Sequence, residues 1–210
     1  MTVNNFKAIS ELLVWDDPEQ KEPTDTFYFA QLIKRKKENP EMGSDNVVIK
    51  DYFFKSEKNF WERQDEIIDL CKITNARAYI HLNKRSFEKV AKAAMLLLAE
   101  YVFKDDFRAA RGVYTTACGR NHSAGKDKKW ILDIDVMDEM FIQNVLAEIE
   151  GLQPEGDKLI ARLPTKNGVH LITKPFNLQN FSYLPAKNGQ KPSDDEVDVH
   201  RNNPTNLYIP

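Results

Sequence analysis

Two aspartates separated by one residue are the first feature of this sequence that could carry chemistry. Asp133 and Asp135 interrupt the otherwise apolar run Trp130–Val136 (WILDIDV). Side chains two residues apart on a β-strand project to the same face, so both carboxylates would point to one spot. Like charges placed together there favour a hard divalent cation such as Mg²⁺ or Mn²⁺. The alternative is an edge strand whose two aspartates are simply solvated.

A glycine and a histidine in a later turn form a second candidate site. The segment Pro164–Ile172 (PTKNGVHLI) has Gly168 two residues before His170. Glycine allows close approach of a backbone or a ligand, and Lys166 with the turn amides could donate to phosphate oxygens. His170 could then bind a triphosphate. The alternative is a partly buried strand histidine that is hydrogen-bonded to a neighbour.

The third candidate lies near the end of the chain, in the segment Val197–Asn206 (VDVHRNNPTN). Asp198 stands between two valines on a predicted strand and shares a face with His200. Arg201 follows and could bind a phosphate or a carboxylate. The alternative is an acidic turn that runs into a solvated strand.

A polar, lysine-rich segment, Cys118–Lys129, is predicted to be a loop. The net charge of the chain is -2, so any contact with nucleic acid requires a local basic patch. This loop could provide one, although a simply solvated loop is the alternative. Its candidate nucleic-acid-binding residues are Arg120, Lys126, Lys128 and Lys129.

Apolar periodicity predicts the elements that must position these residues. Predicted strands cover residues 46–54, 77–82, 113–116, 130–136, 158–163, 169–173, 196–201 and 206–209. Predicted helices cover residues 6–15, 58–71, 86–103 and 138–149, and Ser86 and Asp138 are their expected N-caps in the last two. The runs at 158–163 and 169–173 should form a hairpin. The pattern predicts one α/β (α+β) domain over residues 1–210, with a helix-backed mixed or antiparallel sheet.

The bulk composition excludes several classes of protein. Hydrophobic residues make up 41% of the 210 residues, enough for a real core. The two cysteines, Cys71 and Cys118, support neither a disulfide framework nor a zinc site. No signal peptide or membrane span is expected, so the sequence predicts a cytoplasmic protein.

Taken in order, the three motifs resemble those of the archaeo-eukaryotic primase (primase-polymerase) superfamily: D-x-D on an apolar strand, small-x-His on a later strand and an apolar-Asp strand. Tyr79–Ser86 (YIHLNKRS) is similar to the strand ending in asparagine, any residue and arginine that precedes the acidic motif. Arg201–Asn206 (RNNPTN) is similar to the turn that follows the third motif. The resemblance covers about residues 76–210, while residues 1–75 are only compatible with it.

This resemblance implies a catalytic core with an RNA-recognition-like half, of the kind found in replication proteins of phages and plasmids. It implies that Asp133, Asp135 and Asp198 hold two divalent metals, Mg²⁺ or Mn²⁺. It also implies that His170 and Lys166 contact the triphosphate and that Arg85 and Arg201 contact phosphate or sugar. The expected partners are nucleoside triphosphates, single-stranded DNA or a primer-template, and a helicase or another replication protein.

Two other functions are compatible with the same residues. A nucleic-acid-binding module could keep the fold and lack catalysis, although three retained aspartates argue against that. A metal-dependent nuclease of a mobile element could use the same two-metal geometry for hydrolysis. The products of the reaction separate these possibilities.

Overall fold

The computed structural model describes residues 2–16, 25–120, 128–185 and 196–210. The strands in these ranges are β1 (Val3–Asn4), β2 (Thr26–Arg35), β3 (Asn46–Phe54), β4 (Arg77–Ile80), β5 (Arg85–Ser86), β6 (Trp130–Ile134), β7 (Leu159–Pro164), β8 (Val169–Thr173), β9 (Asp198–His200) and β10 (Thr205–Ile209). The helices are α1 (Phe6–Leu12), α2 (Glu57–Glu62), α3 (Gln64–Thr74), α4 (Phe87–Phe103), α5 (Phe107–Ala110), α6 (Val113–Arg120) and α7 (Glu139–Gly151), with a 3₁₀ turn at Leu178–Asn180. None of the helices in the described ranges is long and apolar enough to cross a membrane.

Two antiparallel sheets with helices packed on them make up the fold. The first sheet has the strand order β1-β10-β4-β2-β3, and β5 pairs with the start of β2. The second sheet has the order β7-β8-β6-β9. This architecture confirms the predicted class of mixed helices and strands, while the finer primase-polymerase-like fold with its RNA-recognition-like half stays a prediction.

Strand β2 lies between β4 and β3 in the first sheet and is covered on both faces. Tyr28, Ala30 and Leu32 are buried in a core that includes side chains of α1, α2 and α3. Phe27 and Phe29 point to the opposite face and pack with α4 and α6. Because alternate residues of one strand supply both cores, β2 fixes the positions of the helices on either side.

Helix α7 covers one face of the second sheet. Leu132 and Ile134 of β6 pack against Val145 and Ile149 of that helix. Ile131 points to the other face and joins the core of the first sheet. Residue alternation then places Asp133, two residues further along, on this second face and away from α7.

The cap and hairpin predictions are confirmed. Ser86 Oγ accepts a hydrogen bond of 3.2 Å from the Lys89 amide at the start of α4. Asp138 Oδ1 accepts bonds of 2.9 and 3.2 Å from the amides of Met140 and Phe141 at the start of α7. Strands β7 and β8 form the predicted hairpin.

The predicted strand at residues 113–116 is wrong, because this segment begins helix α6. Its β-branched residues favour a strand locally, but the buried Ala117 and Cys118 pack against Phe27 and Phe29, and this tertiary contact decides the helix. The predicted helix over residues 58–71 is divided at Arg63 into α2 and α3. Strand β2 was not predicted at all.

Candidate active site

Asp198, Asp133 and His170 form one row across three adjacent strands. Asp133 of β6 is paired with Asp198 of β9 on one side and with His170 of β8 on the other. Directly paired residues of antiparallel strands share a face, with Cα atoms about 4.5–5.5 Å apart. The register therefore brings together two of the predicted carboxylates and the predicted histidine.

Both ring nitrogens of His170 have partners. Nε2 lies 3.2 Å from Asp133 Oδ1, and Nδ1 lies 2.8 Å from Thr205 Oγ1. A carboxylate only accepts, so Nε2 carries the proton, and in the neutral ring Nδ1 accepts from the Thr205 hydroxyl. His170 is therefore held as a donor to the central carboxylate of the row, and this placement does not support its predicted contact with a triphosphate.

Asp133 is ionised at neutral pH. Burial alone raises the pKa of its carboxyl, but the hydrogen bond from His170 and the electrostatic interactions with His170 and His200 outweigh that effect, and the net pKa is below its ordinary value. His200 also stands beside the other carboxylate, with Nε2 3.8 Å from Asp198 Oδ2. Each carboxylate of the row thus has its own histidine.

The turn between β7 and β8 presses against the end of β6, where Asp135 follows the strand. A Cβ atom on Gly168 would lie only 1.9 Å from the Ile134 carbonyl oxygen and 2.9 Å from the Asp135 Cα. Thr165 closes the turn, since its Oγ1 accepts from the Gly168 amide and its own amide donates to the Gly168 carbonyl, both at 3.0 Å. Gly168 is therefore required for close backbone contact beside Asp135.

A cleft of about 640 Å³ opens in front of this row. Its size is within the range of about 300–1,000 Å³ that is usual for small-molecule sites. The second sheet lines it with Asp133, Asp135, His170, Asp198 and His200, and the β7–β8 turn adds Thr165, Lys166 and Asn167. All three predicted catalytic aspartates, His170 and Lys166 therefore line the same cleft.

The first sheet supplies the opposite lining, which carries positive charge. We use "basic wall" for Arg35, Lys37 and Arg77, which line the cleft together with Tyr79. Arg35 Nη1 donates to the Tyr79 hydroxyl at 3.2 Å, and Arg77 Nη2 donates to Glu38. The wall was missed at the sequence level, although the four consecutive basic residues at 34–37 (KRKK) are a visible signal for it.

Two buried polar atoms of the cleft lining lack a hydrogen-bond partner within the described part of the chain. They are Arg77 Nε, a donor, and Asn206 Oδ1, an acceptor. Buried polar groups are usually satisfied, so these two atoms are exceptions, and both are enclosed by the protein and not open to the cleft.

Arg201 lies on the other face of the second sheet. Its guanidinium carbon is 5.1 Å from the centre of the Trp130 ring, a cation–π contact. Asp198 and His200 face the cleft, so the next residue along the strand direction faces the α7 side. This placement does not support the predicted contact of Arg201 with a phosphate in the cleft.

Arg85 is fully buried and does not line the cleft. Its side chain donates to the carbonyl oxygens of Cys118 and Asn83 at 2.9 and 2.8 Å, to His81 Nδ1 at 2.9 Å and to Asn202 Oδ1 at 3.0 Å. These partners belong to α6, to the segment before β5 and to the turn after β9. Arg85 therefore fixes the turn that follows Asp198, and this placement does not support direct contact with phosphate.

The predicted basic loop is only partly described. Arg120 ends helix α6, Lys128 is exposed, and Lys126 lies outside the described residues. The Asn83 side chain holds Lys129 through both backbone groups, with bonds of 2.8 and 2.9 Å. Arg120, Lys128 and Lys129 are absent from the lining of the cleft.

The donor set of the cleft suits a hard divalent cation. Asp133 and Asp198 are directly opposed and Asp135 lines the same cleft, so carboxylate oxygens are available from both strands and the strand end. Within the described ranges, no three His, Cys, Asp or Glu side chains already stand together as a metal site. Asp135 is exposed, so its side chain can reorient toward the other two.

Comparison with known proteins gives no relative, because no protein-family model, curated protein or solved structure matches the chain.

Because His81 is buried beside Arg85, we expect the protein to become less stable as the pH is lowered below 6.5, the ordinary pKa of histidine. Burial and the Arg85 charge lower the pKa of His81 to about 3 from 6.5, although the Asn202 carbonyl opposes this effect. Between these values the unfolded chain binds a proton that the folded protein does not, so the free energy of unfolding rises with pH, by up to about 1.4 kcal/mol per pH unit. Above pH 6.5 this contribution is constant.

Urea unfolding between pH 4.5 and 7.5 measures this effect when wild type is compared with His81→Gln, which keeps an acceptor for Arg85 and does not titrate. The variant should lose part of the pH dependence. Identical pH profiles of the two proteins would show that His81 does not control it.

Proposed function

We propose that this chain is a metal-dependent nucleotidyltransferase of the primase-polymerase type, which adds nucleotides to a nucleic-acid 3′ end or initiates a primer. The observation that carries the proposal is the row Asp198–Asp133–His170 on the open face of one sheet, with Asp135 at the strand end. Three motifs that are far apart in sequence contribute side chains to one cleft, and this supports the proposal.

The carboxylates in this proposal hold Mg²⁺ or Mn²⁺, which would activate the attacking hydroxyl and neutralise charge on the phosphates. His170 donates to Asp133 Oδ1 and so fixes the direction of that carboxylate. Thr205 fixes the ring of His170 in turn. Residues that hydrogen-bond to a metal-binding side chain fix its orientation and increase the affinity of the site for the metal.

The β7–β8 turn and the basic wall are suited to the triphosphate. Lys166 and Asn167 line the cleft at the turn. Arg35 and Arg77 line it from the first sheet and bring positive charge to that side of the cleft. Arginine binds phosphate through several donors at once, so these residues could hold the leaving group while the carboxylates face the reacting atoms.

The test is extension of a labelled primer on a template strand with nucleoside triphosphates, with Mg²⁺, with Mn²⁺ and with a chelator. We expect longer products only when a divalent cation is present, together with new short products on unprimed template if the protein initiates. Metal-dependent shortening of the primer would favour the nuclease. Oligonucleotide binding with no change in product length, under all conditions, would overturn the proposed transfer reaction and favour a binding module.

A further inference from the structure

The β2–β3 hairpin carries a concentration of positive charge that the chain as a whole lacks. Residues 34–37 are four consecutive basic residues (KRKK) at the end of β2. The net charge of the chain is -2, so this cluster is a local feature. From it we propose that the cleft-facing side of this hairpin binds single-stranded nucleic acid and leads it to the carboxylate row, which rests on the proposed function.

Strand alternation divides the hairpin into two sides. Ile33, Arg35 and Lys37 line the cleft, and so do Val48 and Asn46, which are paired with Ile33 and Arg35 in the sheet. Lys34 is paired with Val47 and points away from the cleft. The cleft side therefore carries an aliphatic pair next to a polar pair, with a lysine beyond them.

The cations of this hairpin differ in whether they form ion pairs with acidic residues of the protein. Lys34 forms an ion pair of 3.1 Å with Glu41, and Arg35 Nε lies 3.9 Å from Glu38. Lys37 is exposed and forms no ion pair within the described residues. Its charge can therefore meet a phosphate without first breaking a salt bridge.

Strand β3 exposes apolar surface where a strand of a globular sheet is normally covered. Val48, which lines the cleft, is 45% exposed, whereas Val47 and Ile49, at 41% and 37% exposed, do not line it. The aliphatic pair Ile33 and Val48 offers the bases of a single strand an apolar contact, and Arg35 and Lys37 offer its phosphates positive charge. An acidic peptide would pair with the cations, but its carboxylates would gain nothing from contact with the aliphatic pair Ile33 and Val48.

The position of the hairpin gives this binding a direction. Ile33 is paired with Arg77 of β4, and both line the same cleft as Asp133 and Asp198. A strand bound along the hairpin would therefore end in front of the carboxylates. Base contacts through Val48 and Ile33 are insensitive to sequence, so we expect little sequence preference.

The experiment is fluorescence anisotropy of a labelled single-stranded oligodeoxythymidylate, without metal and without nucleotide, titrated with wild type, Lys37→Glu, Lys37→Arg and Lys72→Glu. Lys72 is an exposed lysine on α3, which packs on the other face of the first sheet, so it is the matched control. We expect Lys37→Glu to raise Kd by about tenfold at low salt and to lower the salt slope by about one. Lys37→Arg and Lys72→Glu should remain within about twofold of wild type on the same electrostatic grounds.

Equal affinity of Lys37→Glu and Lys72→Glu would overturn the proposal, and so would the absence of oligonucleotide binding by wild type. Binding of labelled polyglutamate in preference to the oligonucleotide would also overturn it, in favour of an acidic peptide partner. The outcome is independent of catalysis. If Lys37→Glu loses binding and wild type does not extend primers, the binding surface is supported and the transferase is rejected. If wild type extends primers and Lys37→Glu binds as tightly as wild type, the transferase is supported and the binding surface is rejected.

Discussion

Replacing Asp133 by asparagine is expected to abolish metal-dependent nucleotide addition while the protein stays folded. Asp133 is the middle of the row, paired with both Asp198 and His170, so its carboxylate is placed to share a cation with Asp198. Asparagine keeps the size of the side chain and an acceptor for His170 but removes the charge. Loss of several kcal/mol of charge stabilisation corresponds to a decrease of at least about 10²-fold in the extension rate.

The rate should be measured by primer extension at saturating Mg²⁺ or Mn²⁺, with Asp198→Asn assayed in parallel. Asp69→Asn is the matched control, because Asp69 is an exposed aspartate on α3, away from the cleft lining. Circular dichroism and thermal unfolding establish that each variant is folded. An Asp133→Asn protein that extends primers at the wild-type rate would show that this carboxylate has no part in the reaction.

The face of the sheet on which the acidic side chain of β6 lies could be predicted from sequence, because it depends only on the alternation of side chains along one strand. Period-two alternation places Asp133 on the face opposite Leu132 and Ile134, and the structure has this arrangement. The Asp138 cap fixes where α7 begins, and the β7–β8 turn brings His170 back beside β6. The pairing of Asp198 with Asp133 could not be predicted, because strand order depends on packing between distant segments.

Arg201 and Arg85 differ in whether their positions could be predicted from the sequence. Arg201 is an odd number of residues from Asp198, so alternation alone was sufficient to place it on the other face, over Trp130. No sequence signal indicates that Arg85 is fully buried, since arginine is rarely buried unless it is paired. Its acceptors come from distant segments that only the folded chain assembles.

The basic wall was missed for a related reason. Strand β2 alternates weakly, because both of its faces are buried and it reads as a nearly continuous apolar run, Phe27–Leu32 with Gln31 inside it. Without that strand, the cations that follow it had no position in the fold. The sequence therefore predicts the positive charge in the loop at residues 118–129, whose described basic residues do not line the cleft.

Replacing Gly168 by alanine is expected to destabilise the protein and to displace Asp135. The added Cβ would lie 1.9 Å from the Ile134 carbonyl oxygen, which is backbone and cannot rotate away as a flexible side chain would. The turn is also held by Thr165, so the strain must move either the turn or the end of β6. Overpacking of this kind decreases the free energy of unfolding by about 3 kcal/mol, which lowers the Tm of a chain of this size by about 6–12 °C.

Differential scanning calorimetry measures the loss, and Gly119→Ala is the matched control. Gly119 lies inside helix α6, and a Cβ atom added there would meet nothing within 4 Å, so alanine should leave the Tm unchanged or raise it. A Gly168→Ala protein as stable as Gly119→Ala would contradict the close contact between the turn and β6. Because the contact lies beside Asp135, we expect primer extension by Gly168→Ala to fall even at temperatures where the variant is fully folded, whereas Gly119→Ala should keep its rate.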